Sequence, residues 1–206
     1  HWHRRGVRDF AFYDDALLDQ PQAFAVPLLE TIVERGLGMR FHCPNALHAR
    51  AISAEVAGLM KAAGFVTLRL GLETSDSVRQ SDTGGKVTTA EFVRAVKNLR
   101  QAGYSGADIG VYLLCGMPFQ QAQEVQTAVE FVRKCGVHPV LAEYSPIPGT
   151  ALWEDALRCS PYPLAEEPLF QNNTLLPCRW EGLTDTMYQA IKANCRPTLC
   201  GGLTGI

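Results

Sequence analysis

Across residues 8–144 the apolar positions switch repeatedly between a two-residue and a 3.6-residue period. That alternation restricts the fold more than any other feature of the chain. Residues 8–13 alternate aromatic and polar side chains as a strand does. Residues 21–35 follow with Phe24, Leu28, Leu29, Ile32 and Val33 on one helical face and Gly36 as the stop. Residues 39–42 form a short second strand. Ser53 caps a predicted helix over Ala54–Ala63 that Gly64 ends, and residues 65–72 form a third strand. Thr88 or Thr89 caps the next helix. There Glu91 suits the positive end of the helix dipole, and Phe92, Val93, Val96 and Leu99 make the inner face before Gly103 closes it. Ile109–Cys115 is a fourth strand, so apolar that cover on both faces is expected. A helix over Ala122–Lys134, stopped by Gly136, and a fifth strand over residues 139–144 complete the series.

Strand–helix units of roughly 30 residues in series predict an α/β fold, with a parallel sheet, outer helices and right-handed crossovers. An open doubly wound sheet and a closed or partial barrel both satisfy that order. Beyond Pro148 the rhythm fails, because Pro161, Pro163, Pro168 and Pro177 interrupt it and only residues 152–157 and 184–194 look helical. The expected division is a (β/α) region over residues 1–157 and an irregular Pro-rich extension over 158–206, with one helix packing on the barrel.

The 206 residues, 47% hydrophobic and 19% charged, describe a folded chain instead of a disordered one. A net charge of −2 with scattered basic residues gives no electrostatic ground for a nucleic-acid partner. No apolar run approaches the roughly 18–20 residues of a membrane span, and the first residues carry no signal-peptide pattern, so a cytoplasmic location without membrane contact is expected. The seven cysteines are irregularly spaced and read as free thiols. No C-x2-C or C-x3-C-x2-C run occurs, so no metal ligands are assigned within the chain. The chain lacks an initiator Met and enters a strand-like run by Val7, from which an upstream part is expected.

Ligands of parallel α/β sheets bind beyond the carboxyl ends of the strands. There the chain places Asp14-Asp15, residues 43–50, Glu73-Thr74-Ser75, Gly116-Met117-Pro118 and residues 145–150. Four segments in order resemble the radical S-adenosylmethionine (SAM) superfamily, and within it the branch whose members often carry an upstream cobalamin-binding domain. They are Phe12-Tyr13-Asp14-Asp15, Gly71-Leu72-Glu73-Thr74, Gly116-Met117-Pro118-Phe119-Gln120 and Ser145-Pro146-Ile147-Pro148-Gly149-Thr150.

The resemblance implies a partial (β/α)6 TIM-like barrel with strands 2 to 6 present and the first strand and its cluster loop missing. A C-x3-C-x2-C is then expected within about 50 residues upstream, the length of a usual barrel unit. The implied cofactors are SAM, a [4Fe–4S] cluster whose ligands lie outside this chain, and cobalamin as a candidate. A flavodoxin or ferredoxin is the implied electron donor, and the chain alone is expected not to cleave SAM.

By the same resemblance, Asp14 and Asp15 match the segment that holds the methionyl ammonium. Glu73 and Thr74 match the polar turn at the methionyl or ribose portion, and Lys86 matches a basic position that pairs with the SAM carboxylate. Gly116, Met117 and Pro118 match the turn against the adenine, and Ile147 and Pro148 belong to the loop that closes over the nucleoside. Phe119 stands where many relatives have a second glycine. Asn45, His48 and Arg50, in the loop after the second strand, and Glu143 and Tyr144, at the end of the last, are the candidate substrate contacts. Asp14, Glu73 and Met117 are expected to face one shared cavity. A conventional barrel lyase or aldolase would show a Schiff-base lysine at a strand end, but Lys86 and Lys97 do not end strands. A ligand-binding barrel without catalysis is the remaining alternative.

Overall fold

The computed structural model describes residues 1–76, 79–80 and 87–195. Five parallel strands lie in the order β1-β2-β3-β4-β5: β1 Asp9–Ala11, β2 Arg40–His42, β3 Phe65–Glu73, β4 Ile109–Cys115 and β5 His138–Glu143. Between them run α1 Ala25–Arg35, α2 Ala54–Ala63, α3 Thr89–Gln101 and α4 Ala122–Lys134, followed by α5 Trp153–Cys159 and α6 Asp185–Asn194. Strands neighbouring in sequence also neighbour in space, the order expected of a partial barrel. No described helix is long and apolar enough to cross a membrane.

Local chemistry fixes the helix starts. The Ser53 hydroxyl accepts from the Val56 amide, and Thr88 and Glu91 form a reciprocal capping box. Such caps contribute about 1 kcal/mol each. In α3 the buried stripe is Phe92, Ala95, Val96 and Leu99, at the i, i+3, i+4, i+7 spacing of one face. Val93, expected on that face, is 44% exposed because it lies one step around the helix from Phe92. Phe24 and Val33 are likewise exposed, and α1 buries Ala25, Val26 and Leu29. It begins four residues later than expected, after turns that start at Gln20.

The two faces of the sheet differ sharply. Leu68, Leu70 and Leu72 of β3 and Ile109, Val111, Leu113 and Cys115 of β4 are fully covered by helices. Each such leucine contributes about 1.5–3 kcal/mol by leaving water. The concave face carries Thr67, Arg69 and Gly71 beside Gly110, Tyr112 and Leu114, and these beside His138, Val140 and Ala142. Tyr112 and Leu114 are only half-buried there, so full cover of β4 holds on its helix side alone.

The extension after β5 rejoins the main core through Leu176, Leu183, Tyr188 and Ile191. Gly182 O accepts from the Ala122 amide at 2.8 Å, fastening it to the start of α4. A small second cluster of Ala156, Leu164 and Cys178 packs with Tyr144 and Trp153.

Candidate functional site

Residues of β3 and β4 and of the loops after β1 and β2 meet at a cavity of about 440 Å³. It is lined by Asp15 after β1, residues 44–49 after β2, Gly71 and Glu73 of β3, Val87, and Tyr112 of β4. The Tyr112 hydroxyl donates to Pro44 O at 2.9 Å, so its ring bridges from β4 to the loop after β2 and floors the cavity. A Cβ at Gly71 would lie 3.4 Å from the Ala46 methyl, so the glycine leaves room for that loop to lie close.

Two carboxylates reach this cavity from different strands. Asn45 orients the first: its amide donates to Asp15 Oδ1 at 2.8 Å and to Tyr13 O at 3.0 Å. Asn45, expected as a substrate contact, therefore lines the cavity chiefly as a brace for the loop after β1. The second carboxylate, Glu73, sits where the β3–β4 register shifts. Its φ is +65°, and the Thr74 amide bonds back to Leu72 O at 2.8 Å. That is a γ-turn with positive φ, a strained conformation for a residue with a Cβ. Backbone strain of this kind gathers at ligand-binding turns, and here it turns the glutamate into the cavity.

The expected residues do not all converge. His48 lines the cavity. Asp14 is exposed and does not line it. Arg50 is exposed and lies near Glu91 at the start of α3, so it is not a cavity contact. Thr74 is buried in its own turn, where its hydroxyl accepts from the Asp76 amide and its carbonyl from Gln80. Lys86 lies outside the described residues. Glu143 is a register partner of Cys115 and so faces the helices, away from Tyr112. There it accepts from Tyr188 and from Lys192 Nζ at 2.9 Å, which corrects its placement as substrate-facing. Tyr144 belongs to the second core cluster, where burial raises its pKa.

The single mouth shared by Asp14, Glu73 and Met117 is not what the structure shows. Gly116, Met117 and Pro118 are buried away from the 440 Å³ cavity. The cause is Gln120, only 1% exposed, whose side-chain oxygen accepts from the Gly116 and Met117 amides at 2.8 and 3.3 Å. Its amide donates to Leu114 O, which ties the turn to β4. Gly116 has φ +86°, and a Cβ there would lie 2.7 Å from Leu176 of the extension. Phe119 takes a left-handed conformation, φ +55°, and sets its ring edge-on to Trp180 at 5.7 Å. Ile147 lines a separate cavity of about 490 Å³ with Ser145, Pro146, Pro168, Leu169 and residues 171–173, while Pro148 is exposed outside it. The residues expected at one mouth are thus spread over two separate cavities and a buried turn.

Tyr112 and Gln120 were not legible as site residues. Tyr112 hides in an apolar strand, although its alternation with Leu113 marks it for the other face. The closing position of the Gly116–Gln120 segment is the only sign of Gln120. No group of three His, Cys, Asp or Glu side chains among the described residues comes together as a metal site. The described residues therefore do not provide for an iron–sulfur cluster.

The radical SAM superfamily model matches residues 2–132. An uncharacterized methyltransferase of Pyrococcus horikoshii is 25% identical over 181 residues, 87% of this chain and 35% of that protein. Among solved structures, the radical SAM methyltransferase TsrM of Kitasatospora setae, with tryptophan and a SAM analogue bound, superposes with a TM-score of 0.63 at 22% identity. That match covers 76% of this chain and 31% of TsrM. Escherichia coli coproporphyrinogen III oxidase, a radical SAM enzyme, gives a TM-score of 0.52 at 16% identity over 66% of this chain and 32% of the oxidase. The chain spans about a third of the length of these relatives. With a parallel five-stranded sheet of this order and a family match over most of its length, the chain belongs to the radical SAM superfamily.

Proposed function

We propose that the 440 Å³ cavity holds the methionyl part of SAM and that the chain is the SAM-binding wall of a methyl-transferring radical SAM enzyme. The observation that carries this reading is the convergence of Asp15 and Glu73, from two strands, on one cavity at the carboxyl end of the sheet. An ammonium flanked by two carboxylates is held by charge-assisted hydrogen bonds, about twice as strong as neutral ones. Methyl transfer is supported by the descriptions of the Pyrococcus and Kitasatospora relatives as methyltransferases. A TsrM structure holds cobalamin and a [4Fe–4S] cluster, which makes cobalamin the candidate methyl carrier of the parent enzyme.

When bound, SAM would supply the transferable methyl or the 5′-deoxyadenosyl group. The chain's own residues bind and orient it. Asn45 fixes the Asp15 carboxylate, the γ-turn fixes Glu73, and the Tyr112 ring closes the floor against water. His48 offers a ring nitrogen to the methionyl carboxylate or to substrate at the same wall.

Calorimetric titration of the protein with SAM tests this reading. Saturable binding is expected, weakened about tenfold or more in Asp15→Asn and in Glu73→Gln, the loss of one charge-assisted bond each. Thermal unfolding of Asp15→Asn should stay at the parent midpoint, since Asp15 is exposed. No binding by the parent, or binding undiminished in both variants, would overturn the assignment.

A further inference from the structure

A second polar group lies at the opposite end of the concave face, where the strands begin. Arg69, Gly110 and His138 are register partners on β3, β4 and β5, so they face the same side. With no side chain at Gly110, its neighbours close over it. A Cβ there would lie 2.8 Å from Arg69 Nη1 and 2.9 Å from His138 Nε2. Both nitrogens therefore lie against the backbone of Gly110. Around them is a cavity of about 420 Å³, lined also by Thr67, Gly106, Arg133 and Cys195.

Among the described residues, no carboxylate neutralises the positive charge at this point. Arg40 pairs with Asp9, Arg79 with Glu124, Arg158 with Asp155 and Arg179 with Asp185. Among the described residues, Arg69 and Arg133 have no carboxylate partner; they donate to the carbonyls of Leu68 and Asn194. A half-buried guanidinium loses hydration, and a bound anion would offset that cost. His138 Nδ1 faces Gly106 O at 3.5 Å, which turns Nε2 towards Arg69. Burial lowers the His138 pKa, the Gly106 carbonyl opposes this, and the Arg69 charge adds to the lowering. An anion would reverse the last effect. Among the described residues, the charged and titratable groups that line cavities with His138 are Arg69 from β3, Arg133 from α4, Lys192 of α6, which is paired with Glu143, and the Cys195 thiol, none of them a carboxylate.

We propose that this cavity binds a small oxyanion, a carboxylate or phosphoryl group, between Arg69 and His138 with Arg133 at its rim. The site is distinct from the SAM cavity. Tyr112, two residues beyond Gly110 on the same face, stands between them with its hydroxyl on Pro44 O.

Sulfate and acetate, titrated separately into the protein, test the proposal with the His138 ring-proton NMR signal as readout. A saturable shift is expected, together with a rise in the His138 pKa at saturation and tighter binding as pH falls through the histidine range. Preference for sulfate identifies a phosphoryl-type ligand, and preference for acetate a carboxylate. Arg69→Met should weaken binding about tenfold or more, the loss of a charge-assisted hydrogen bond. Arg40→Met, on the same face but at the Asp9 pair, should leave it unchanged. His138→Gln gives a second line that does not depend on the folding of the arginine variant: weakened binding, now independent of pH and read from the Arg69 side-chain signals. No saturable shift with either ion, or undiminished affinity in folded Arg69→Met, would sink the proposal.

Discussion

Glu73 shows how a single residue carries a conflict between stability and use. Its φ of +65° costs about 1–2 kcal/mol for a residue with a Cβ, and glycine would relieve that at some cost in chain entropy. Glu73→Gly is therefore expected to keep the unfolding free energy in urea titration or raise it by up to about 1 kcal/mol while weakening SAM binding. A large fall in stability would show that the turn is held for packing instead. Gln120 is the opposite case, a buried polar group with no exposed role. Its oxygen satisfies two amides, so Gln120→Ala should cost about 2–3 kcal/mol in urea unfolding. Gln120→Glu keeps the acceptor, loses the donor to Leu114 O, and should fall between. Little in the sequence separates Gln120 from the exposed Gln121 beside it, because which of two adjacent glutamines turns inward is decided by the backbone of Phe119. Arg69 did have a visible sign, a charge in the middle of an otherwise apolar strand, but its meaning needed Gly110 and His138 in register.

At the scale of elements, the helices and strands were legible where period and cap agreed. Ser53, Thr88 and Gly64 mark their helix ends in both sequence and structure, since capping is settled within four residues. What the extension covers was not legible, because contacts such as Leu176 on Gly116 join residues 60 positions apart with no periodic signal. The extension is anchored by α6. There Glu143 is pushed up by burial, but the hydrogen bonds from Lys192 and Tyr188 outweigh this and hold its carboxyl below the ordinary value. A carboxyl lowered on folding stabilises above its unfolded pKa, near 4.3, and loses that contribution as pH falls through its lower folded value. Glu143→Gln should therefore unfold at lower temperature than the parent near neutrality. The difference should vanish in acid, as followed by circular dichroism across pH. A pH-independent difference would mean that the carboxylate's charge is irrelevant to docking α6.

Across the whole molecule the sheet is uneven, and strand order alone does not show it. β3 and β4 are long and their helix-facing leucines and isoleucine are fully buried, whereas β1 and β2 have three residues each and β1 buries none of them fully. What holds β1 is a ring cluster: Phe12 stacks on Phe65 at 5.4 Å, and Phe41 meets Phe65 at 5.2 Å. Few buried apolar groups and a short ladder place a segment at the low end of local stability, so opening should begin at β1 and β2 while β3 to β5 stay paired. The Asp15 loop follows β1 directly, so such opening would loosen one wall of the 440 Å³ cavity and leave the Glu73 wall in place. Native-state hydrogen exchange checks this amide by amide. The Phe10 and Phe41 amides should exchange at least tenfold faster than those of Leu70 and Val111, which should approach the global unfolding limit. Phe12→Ala should widen that gap by removing the stacked ring, without changing protection in β4. Equal protection across all five strands would mean that the sheet opens as one unit, and that both walls of the cavity are lost together.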